Sequence, residues 1–318
     1  MESMEFVFPD YYKDFRCIAG DCRHSCCIGW EIDIDEDSLA FFESVPGEFG
    51  DRLRQNISKY GDAHFVLGEG ERCPFLNRDN LCDIILTLGE EHICGICTNH
   101  PRFRNELPGR VETGLGLCCE EAARLILSKK EPVQLIVTGE KEEEDEIVSH
   151  RDKVLSLLQN RQLSIAERIE AMLTDCDAEL PEMSISQWAQ LLLDLERLDE
   201  EWTKYLVLLR DKGENADFAG FDEYMKDRQT EYEQLLVYLV YRHMANASDY
   251  DGIAARAGFA AVAYIIIYTL GAALWTERGE FSPAQQTELA RLFSSEIEYS
   301  DNNRYAILDV LEEALWLQ

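Results

Sequence analysis

Basic residues are scarce in this chain: 30 Lys and Arg stand against 62 Asp and Glu, a net charge of −32 over 318 residues. A protein that grips phosphates needs a basic surface, so nucleic acid is not the expected partner. The common cofactor motifs are also missing. There is no P-loop and no HExxH, and Gly114-Leu115-Gly116 lacks the third glycine of a dinucleotide loop and runs into cysteines. Any nucleotide-type cofactor therefore needs an architecture other than the doubly wound one. No segment repeats. The opening, Met1 to Glu5, is acidic and has no basic region followed by an apolar stretch, so no secretory signal is read there. The expected compartment is the reducing cytoplasm, where cysteines serve as thiols or ligands rather than as a disulfide framework.

Long uncharged runs are equally rare. Only Ala257–Trp275, nineteen residues without a charge, raises the question of a membrane. It is barely long enough to span, is diluted by Ala, Gly, Tyr and Thr, and has no flanking basic cluster, so the expectation is a central helix buried on all faces. The densest acidic run, Glu142 to Glu146, reads as a solvated loop.

What the sequence has in excess is cysteine, and in one place. Ten of its eleven cysteines lie between Cys17 and Cys119, four of them at Cys17, Cys22, Cys26 and Cys27; Cys176 stands apart. Soft thiolates gathered so densely point to a metal or an iron–sulfur cluster. Cys94 and Cys97 form a CxxC pair, whose short turn aims two sulfurs at one point. Adjacent cysteines rarely both reach one metal, so one each of Cys26-Cys27 and Cys118-Cys119 is expected to be a packed thiol. The spacings match neither two clean zinc pairs nor the C-x2-C-x2-C-x3-C ferredoxin run. They predict a metal or cluster site without choosing the metal. The six histidines are scattered and read as surface or satisfied residues; for His24, inside the cysteine run, a ligand role is the lesser alternative, and His100 is expected to orient its turn.

The expected fold is mainly α. A cysteine-rich, loop-heavy module with a short β-hairpin, residues 1–140, precedes a helical bundle, residues 141–318, on which it packs. Residues 5–16 read as an irregular aromatic arm interrupted by Pro9, and Glu31 to Asp35 as a short alternating strand. The turn Asn77 to Asn80 is expected to close a hairpin that brings Cys73 near Cys82. Capping-box patterns at Ser164/Glu167, Ser184/Gln187 and Ser282/Gln285 mark helix starts. The stripe Trp188, Leu191, Leu192, Leu195, Leu198, Trp202, Tyr205, Leu206 and Leu209 reads as core packing.

These residues carry a resemblance. Phe15, Arg16 and Cys17, then Cys22, Cys26-Cys27, Gly29-Trp30, Ile32 and Ile34-Asp35, resemble the opening signature of the flagellin lysine-N-methylase (FliB) family. Cys73 to Leu76 with Leu81, Cys82 and Ile84 follow in the family's order. So do Leu88 to Glu90 with Cys97 and His100 to Arg102, and Cys119 to Arg124. Together they span residues 11–130. His100 stands where the family more often has Tyr, and Cys94 and Cys118 are additions to the pattern.

The resemblance implies S-adenosylmethionine-dependent methylation of lysine side chains on flagellin or another protein, assisted by a [4Fe-4S] cluster. As ligands it implies Cys22, Cys26, Cys27 and Cys97 first, with Cys17, Cys73, Cys82 and Cys119 as further candidates. A neutral lysine is needed for methyl transfer, and Glu120 and Glu121 are candidates to take its proton; their competing role is to complement the helix dipole at a helix start. The other reading of the same residues is a non-enzymatic iron- or zinc-binding or redox module.

Overall fold

A computed structural model describes residues 4–140 and 145–316. Most of the acidic run at 142–146 thus lies outside the described residues. The chain is mainly α-helical, and its contacts divide it into two compact units. One comprises Arg16–Phe103 with Cys119–Glu121; the other holds the segment up to Phe15, Arg104–Cys118 and everything from Ala122 on. These units are not the two halves of the chain, because residues 104–118 and 122–140 pack with the helices that follow them.

The segment expected to be an irregular arm is instead a strand, β1 (Glu5–Pro9), followed by a 3-10 turn. It pairs in parallel with one neighbour, Glu5 opposite Arg110, and antiparallel with another, Glu5 opposite Gly139. Val7 and Pro9 point inward while Phe6 and Phe8 face out. Pro9 is tolerated because it ends the strand.

In the cysteine-rich unit, Asp35 caps α1 (Glu36–Ser44), which is followed by α2 (Gly47–Gln55). The hairpin of this unit is the short pair β2 (Ile57–Ser58) and β3 (His64–Phe65). Residues Glu31 to Asp35 keep the expected alternation, with Ile32 and Ile34 buried. They reach β3 only through single contacts, Phe65 N donating to Ile32 O at 3.0 Å and Ile34 N to Ala63 O at 2.7 Å, so no continuous strand forms. The Asn77–Asn80 turn closes as expected: Asn77 N donates to Leu81 O, and Leu76 bridges Cys82. Two short helices follow, α3 (Asp83–Leu88) and α4 (Gly95–Asn99). A core of Ile32, Phe42, Leu53, Phe65, Phe75 and Ile84 holds these pieces together, and thiols take part in it: Cys73 and Cys94 are buried within it, and Cys27, Cys82 and Cys97 pack against it.

In the other unit, β4 (Arg102–Leu107, its first two residues belonging to the cysteine-rich unit), β5 (Arg110–Leu115) and β6 (Leu135–Gly139) join β1 in a sheet ordered β4-β5-β1-β6. The helices are α5 (Glu120–Ser128, its first two residues belonging to the cysteine-rich unit), α6 (Glu146–Leu158), α7 (Ile165–Asp175), α8 (Ile185–Asp194), α9 (Glu200–Lys212), α10 (Phe218–Met225), α11 (Gln229–His243), α12 (Tyr250–Arg278), α13 (Pro283–Phe293) and α14 (Asp301–Trp316). All three capping boxes form, starting α7, α8 and α13. The aliphatic stripe breaks at Leu198, which is 69% exposed. It sits in the turn between α8 and α9, where Glu296 accepts hydrogen bonds from Leu198 N and Asp199 N. The long apolar helix is α12, buried along nearly its whole length.

Candidate functional site

All eleven cysteines are free thiols, and nine of them lie in the cysteine-rich unit. The fold draws these nine into two neighbourhoods that meet at Cys26-Cys27. In the first, Cys22 and Cys26 each lie within electrostatic range of Cys17 and Cys119. The backbone here is bent sharply: Ala19 has φ 47°, and its N–H donates to Cys17 Sγ at 3.4 Å. Gly20 packs so close to the Asn77 turn that a Cβ there would meet Asp79 O at 2.8 Å.

The second neighbourhood is Cys27, Cys73, Cys82, Cys94 and Cys97. Cys73 N donates to Cys27 O at 2.8 Å, and Cys94 Sγ and Cys97 Sγ share a hydrogen bond at 3.4 Å. Cys97 in turn senses the charges of Cys94, Cys27 and Cys73. The Asn77 turn does bring Cys73 near Cys82, but through the single bridge at Leu76 rather than through a two-stranded hairpin.

Of the four thiols implied first as ligands, Cys22 and Cys26 thus belong to one neighbourhood, Cys97 to the other, and Cys27 links them. Cys94, an addition to the family pattern, is the closest partner of Cys97. Cys118 lies in the helical unit, buried, beside the Tyr299 hydroxyl; Cys176 is buried in the same unit.

Thiolate is the form that binds metal. A hydrogen bond from Cys26, against the cost of burial, lowers the Cys27 thiol to about 7, with help from Ser25 and the Arg72 guanidinium. Cys94 is likewise lowered, chiefly by its bond with Cys97. Burial pushes Cys22 up to about 11 and Cys73 up to about 12. In each close pair the shared hydrogen bond eases the deprotonation of one thiol at its neighbour's expense. The donor set is soft and dense, which suits iron–sulfur or zinc chemistry. Among the described residues, no three His, Cys, Asp or Glu side chains already converge to hold an ion; the thiols approach in pairs.

Glu120 serves this site as an anchor. Its carboxylate accepts from Arg23 N and Arg23 Nε, both at 2.9 Å, and from Cys22 Sγ at 3.8 Å. Burial raises its pKa, but the bonds and charge of Arg23 outweigh this and hold it below the usual carboxylate range. His100 is largely buried beside Trp30, ring centroids 6.3 Å apart, and burial with the nearby Arg102 charge lowers it to about 4. It is uncharged at neutral pH and packs beside Trp30. A hollow of about 380 Å3 lies between Gly29-Glu31 and His64–Leu67, and no thiol lines it.

The helical unit holds a constellation that the sequence reading missed. After α13 the chain makes a π-turn, Ser294–Glu298, a feature common at functional sites. The turn carries Glu298 into the interior. The Tyr238 hydroxyl accepts from Leu117 N at 3.2 Å and from Arg242 Nη1 at 2.5 Å, and donates to Glu298 Oε2 at 3.3 Å. His243 Nε2 stands 2.6 Å from Glu298 Oε1, and the Arg242 guanidinium lies 4.4 Å from the Tyr299 ring centre. Burial opposes the Glu298 charge, but Arg242 and His243 bring its pKa down to about 2. No periodicity announces this cluster. The only sequence signal is two acids, Glu296 and Glu298, on either side of Ile297 just past the Leu292-Phe293 pair.

Comparison with known proteins finds one family model and several relatives similar to this chain. Residues 176–317 match the family model described as the FliB lysine N-methylase C-terminal domain. A lysine-N-methylase of Salmonella choleraesuis is 26% identical over 143 residues, 42% of this chain and 35% of that protein; one of Salmonella typhimurium gives the same figures. The flagellar biosynthetic protein FliU of Salmonella muenchen is 27% identical over 149 residues, 44% of this chain and 86% of that protein. The match thus spans about a third of the length of the two lysine-N-methylases. No solved structure matches.

Proposed function

We propose that this chain is a protein-lysine N-methyltransferase, because its residues 176–317 match the FliB lysine N-methylase C-terminal domain. That domain match is the observation that carries the reading. Flagellin is the substrate to test first, since the relatives include a flagellar biosynthetic protein. The proposed setting is the cytoplasm, with S-adenosylmethionine as methyl donor and a [4Fe-4S] cluster in the cysteine-rich unit.

The thiols around the Cys26-Cys27 junction would hold the cluster: Cys22, Cys26, Cys27 and Cys97 first, with Cys17, Cys73, Cys82 and Cys119 beside them. When bound, the cluster supplies a redox-active, Lewis-acidic iron centre and S-adenosylmethionine supplies an electrophilic methyl carbon. The protein's own residues must prepare the acceptor. A lysine amine has an ordinary pKa near 10.4 and accepts a methyl group only when neutral. Glu120, ionised and held by Arg23, makes a poor proton acceptor and a good anchor for the Cys22-Arg23 segment. Glu121, beside it at the start of α5, remains a candidate proton acceptor.

The test uses anaerobically purified, cluster-loaded protein with isotopically labelled S-adenosylmethionine and purified flagellin. Mass spectrometry is expected to find labelled methyl groups on lysine. Unmethylated flagellin, together with a visible spectrum unmoved by S-adenosylmethionine, would sink the enzyme reading in favour of a metal-binding module.

A further inference from the structure

The most apolar helix of the protein opens to solvent in one place. Between Gly252 and Leu274 every residue of α12 is buried except Arg256, Tyr264, Ile265 and Tyr268. Tyr264 and Ile265 form one wall of a groove of about 500 Å3, within the ~300–1,000 Å3 range of ligand pockets. The other wall is a single face of α7 and its C-terminal turn. Ile169, Leu173 and Ala178 line the floor, and Glu170, Asp177 and Glu179 stand exposed at the rim. No cation lines the groove. The basic residue of α7, Arg168, turns inward, donating to Glu233 Oε2 and Leu158 O. Among the described residues, none of the three rim carboxylates is in a salt bridge.

Tyr264 is fixed in place. It packs edge-on against Tyr232 at 5.3 Å and stacks on Tyr268 at 5.4 Å. An apolar floor, a fixed aromatic ring and three uncompensated carboxylates together select one kind of side chain, a long aliphatic stem ending in a cation. An acidic lipid surface or an acidic partner would be repelled.

We infer that this groove docks a lysine-bearing segment of the protein substrate, its apolar side chains and lysine stems on Ile169, Leu173 and Ile265 and its ammonium groups at the rim. The inference rests on the methylase reading, since a lysine methylase has to capture a basic segment. It adds where that segment is gripped, apart from the cysteine-rich unit.

The probe is a fluorescent amphipathic helical peptide with Leu on one face and Lys on the other, read by anisotropy without any cofactor. A twin peptide carries Glu in place of Lys. The lysine peptide is expected to bind the wild-type chain and to weaken with added salt; the twin is expected not to bind. The neutral variant Glu170→Gln/Asp177→Asn/Glu179→Gln should weaken binding about tenfold, and the reversed variant with Lys at all three positions should abolish it. All three residues are exposed, and circular dichroism checks that each variant folds.

In the methylation assay the neutral variant should raise KM for flagellin while kcat stays unchanged. Equal peptide affinity in the wild type and both variants, or no binding to the wild type, would overturn the proposal. So would variants that change self-association in sedimentation instead of peptide affinity, since the groove would then face a second copy. Because binding is read without cofactor, a chain that grips the peptide but methylates nothing refutes the enzyme reading alone. A chain that methylates with an unchanged KM in the variants refutes the groove alone.

Discussion

Asp35 Oδ2 accepts a hydrogen bond from the Gly95 amide at 2.7 Å, although sixty positions separate the two residues. The same carboxylate caps α1 by accepting from Ser38 N at 2.9 Å. One side chain thus fixes both the start of α1 and the turn that aims Cys94 and Cys97.

Removing it should loosen both. Asp35→Ala is expected to lower the stability of the cysteine-rich unit by about 1–2 kcal/mol, the cost of a lost N-cap. Denaturant unfolding measures the loss, and faster labelling of Cys94 and Cys97 by a thiol reagent reports the freed turn. Asp35→Asn, which keeps an acceptor for Ser38, should recover part of the stability.

The ligand assignment predicts metal content. Cys22→Ala, Cys27→Ala and Cys97→Ala should each empty the protein of iron, whereas Cys176→Ala, a buried thiol of the helical unit, should leave it full. Iron and sulfide analysis of anaerobically prepared variants decides the matter; full iron in both the Cys22 and Cys97 variants would break the assignment.

The buried cluster at Glu298 predicts lability to acid. Glu298 is depressed to about 2 in the fold, against an ordinary 4.5, so its contribution is complete above pH 4.5 and is lost as pH falls toward 2. That contribution is on the order of 3 kcal/mol. His243 is also depressed, mainly by burial, so protonating it works in the same direction below its ordinary 6.5. Thermal melts from pH 7 downward should show falling stability. Glu298→Gln should be less stable at pH 7 and flatter with pH; an unchanged slope would remove Glu298 as the cause.

Gly116 makes a sterically sharp prediction. A Cβ there would lie 2.0 Å from the Tyr299 hydroxyl oxygen and 2.9 Å from its ring carbon. Tyr299 is held beneath Arg242 and cannot swing aside freely. Gly116→Ala should therefore cost about 1–3 kcal/mol. Adding Tyr299→Phe removes the nearest clashing atom, so the double variant should lose less than the sum of the single changes.

The sequence by itself determined a good deal. Helix starts were legible wherever a local hydrogen bond decides them, as at Ser164, Ser184 and Ser282, because a capping box needs only residues three apart. The mainly α class followed from apolar periodicity, the buried α12 from its composition, and the concentration of thiols from counting.

Tertiary structure alone decided the rest. β1 was misread because strand formation depends on partners more than a hundred residues away, Arg110 and Gly139, which local pattern does not register. The sorting of nine thiols into two neighbourhoods, the partnership of Cys94 with Cys97 and the inward turn of Glu298 likewise depend on how distant segments pack. So does the acidic groove, since no spacing along the chain tells that Tyr264 faces Glu170 and Asp177. Local hydrogen bonds and side-chain periodicity are written in neighbouring residues; sites are made where the chain returns to itself.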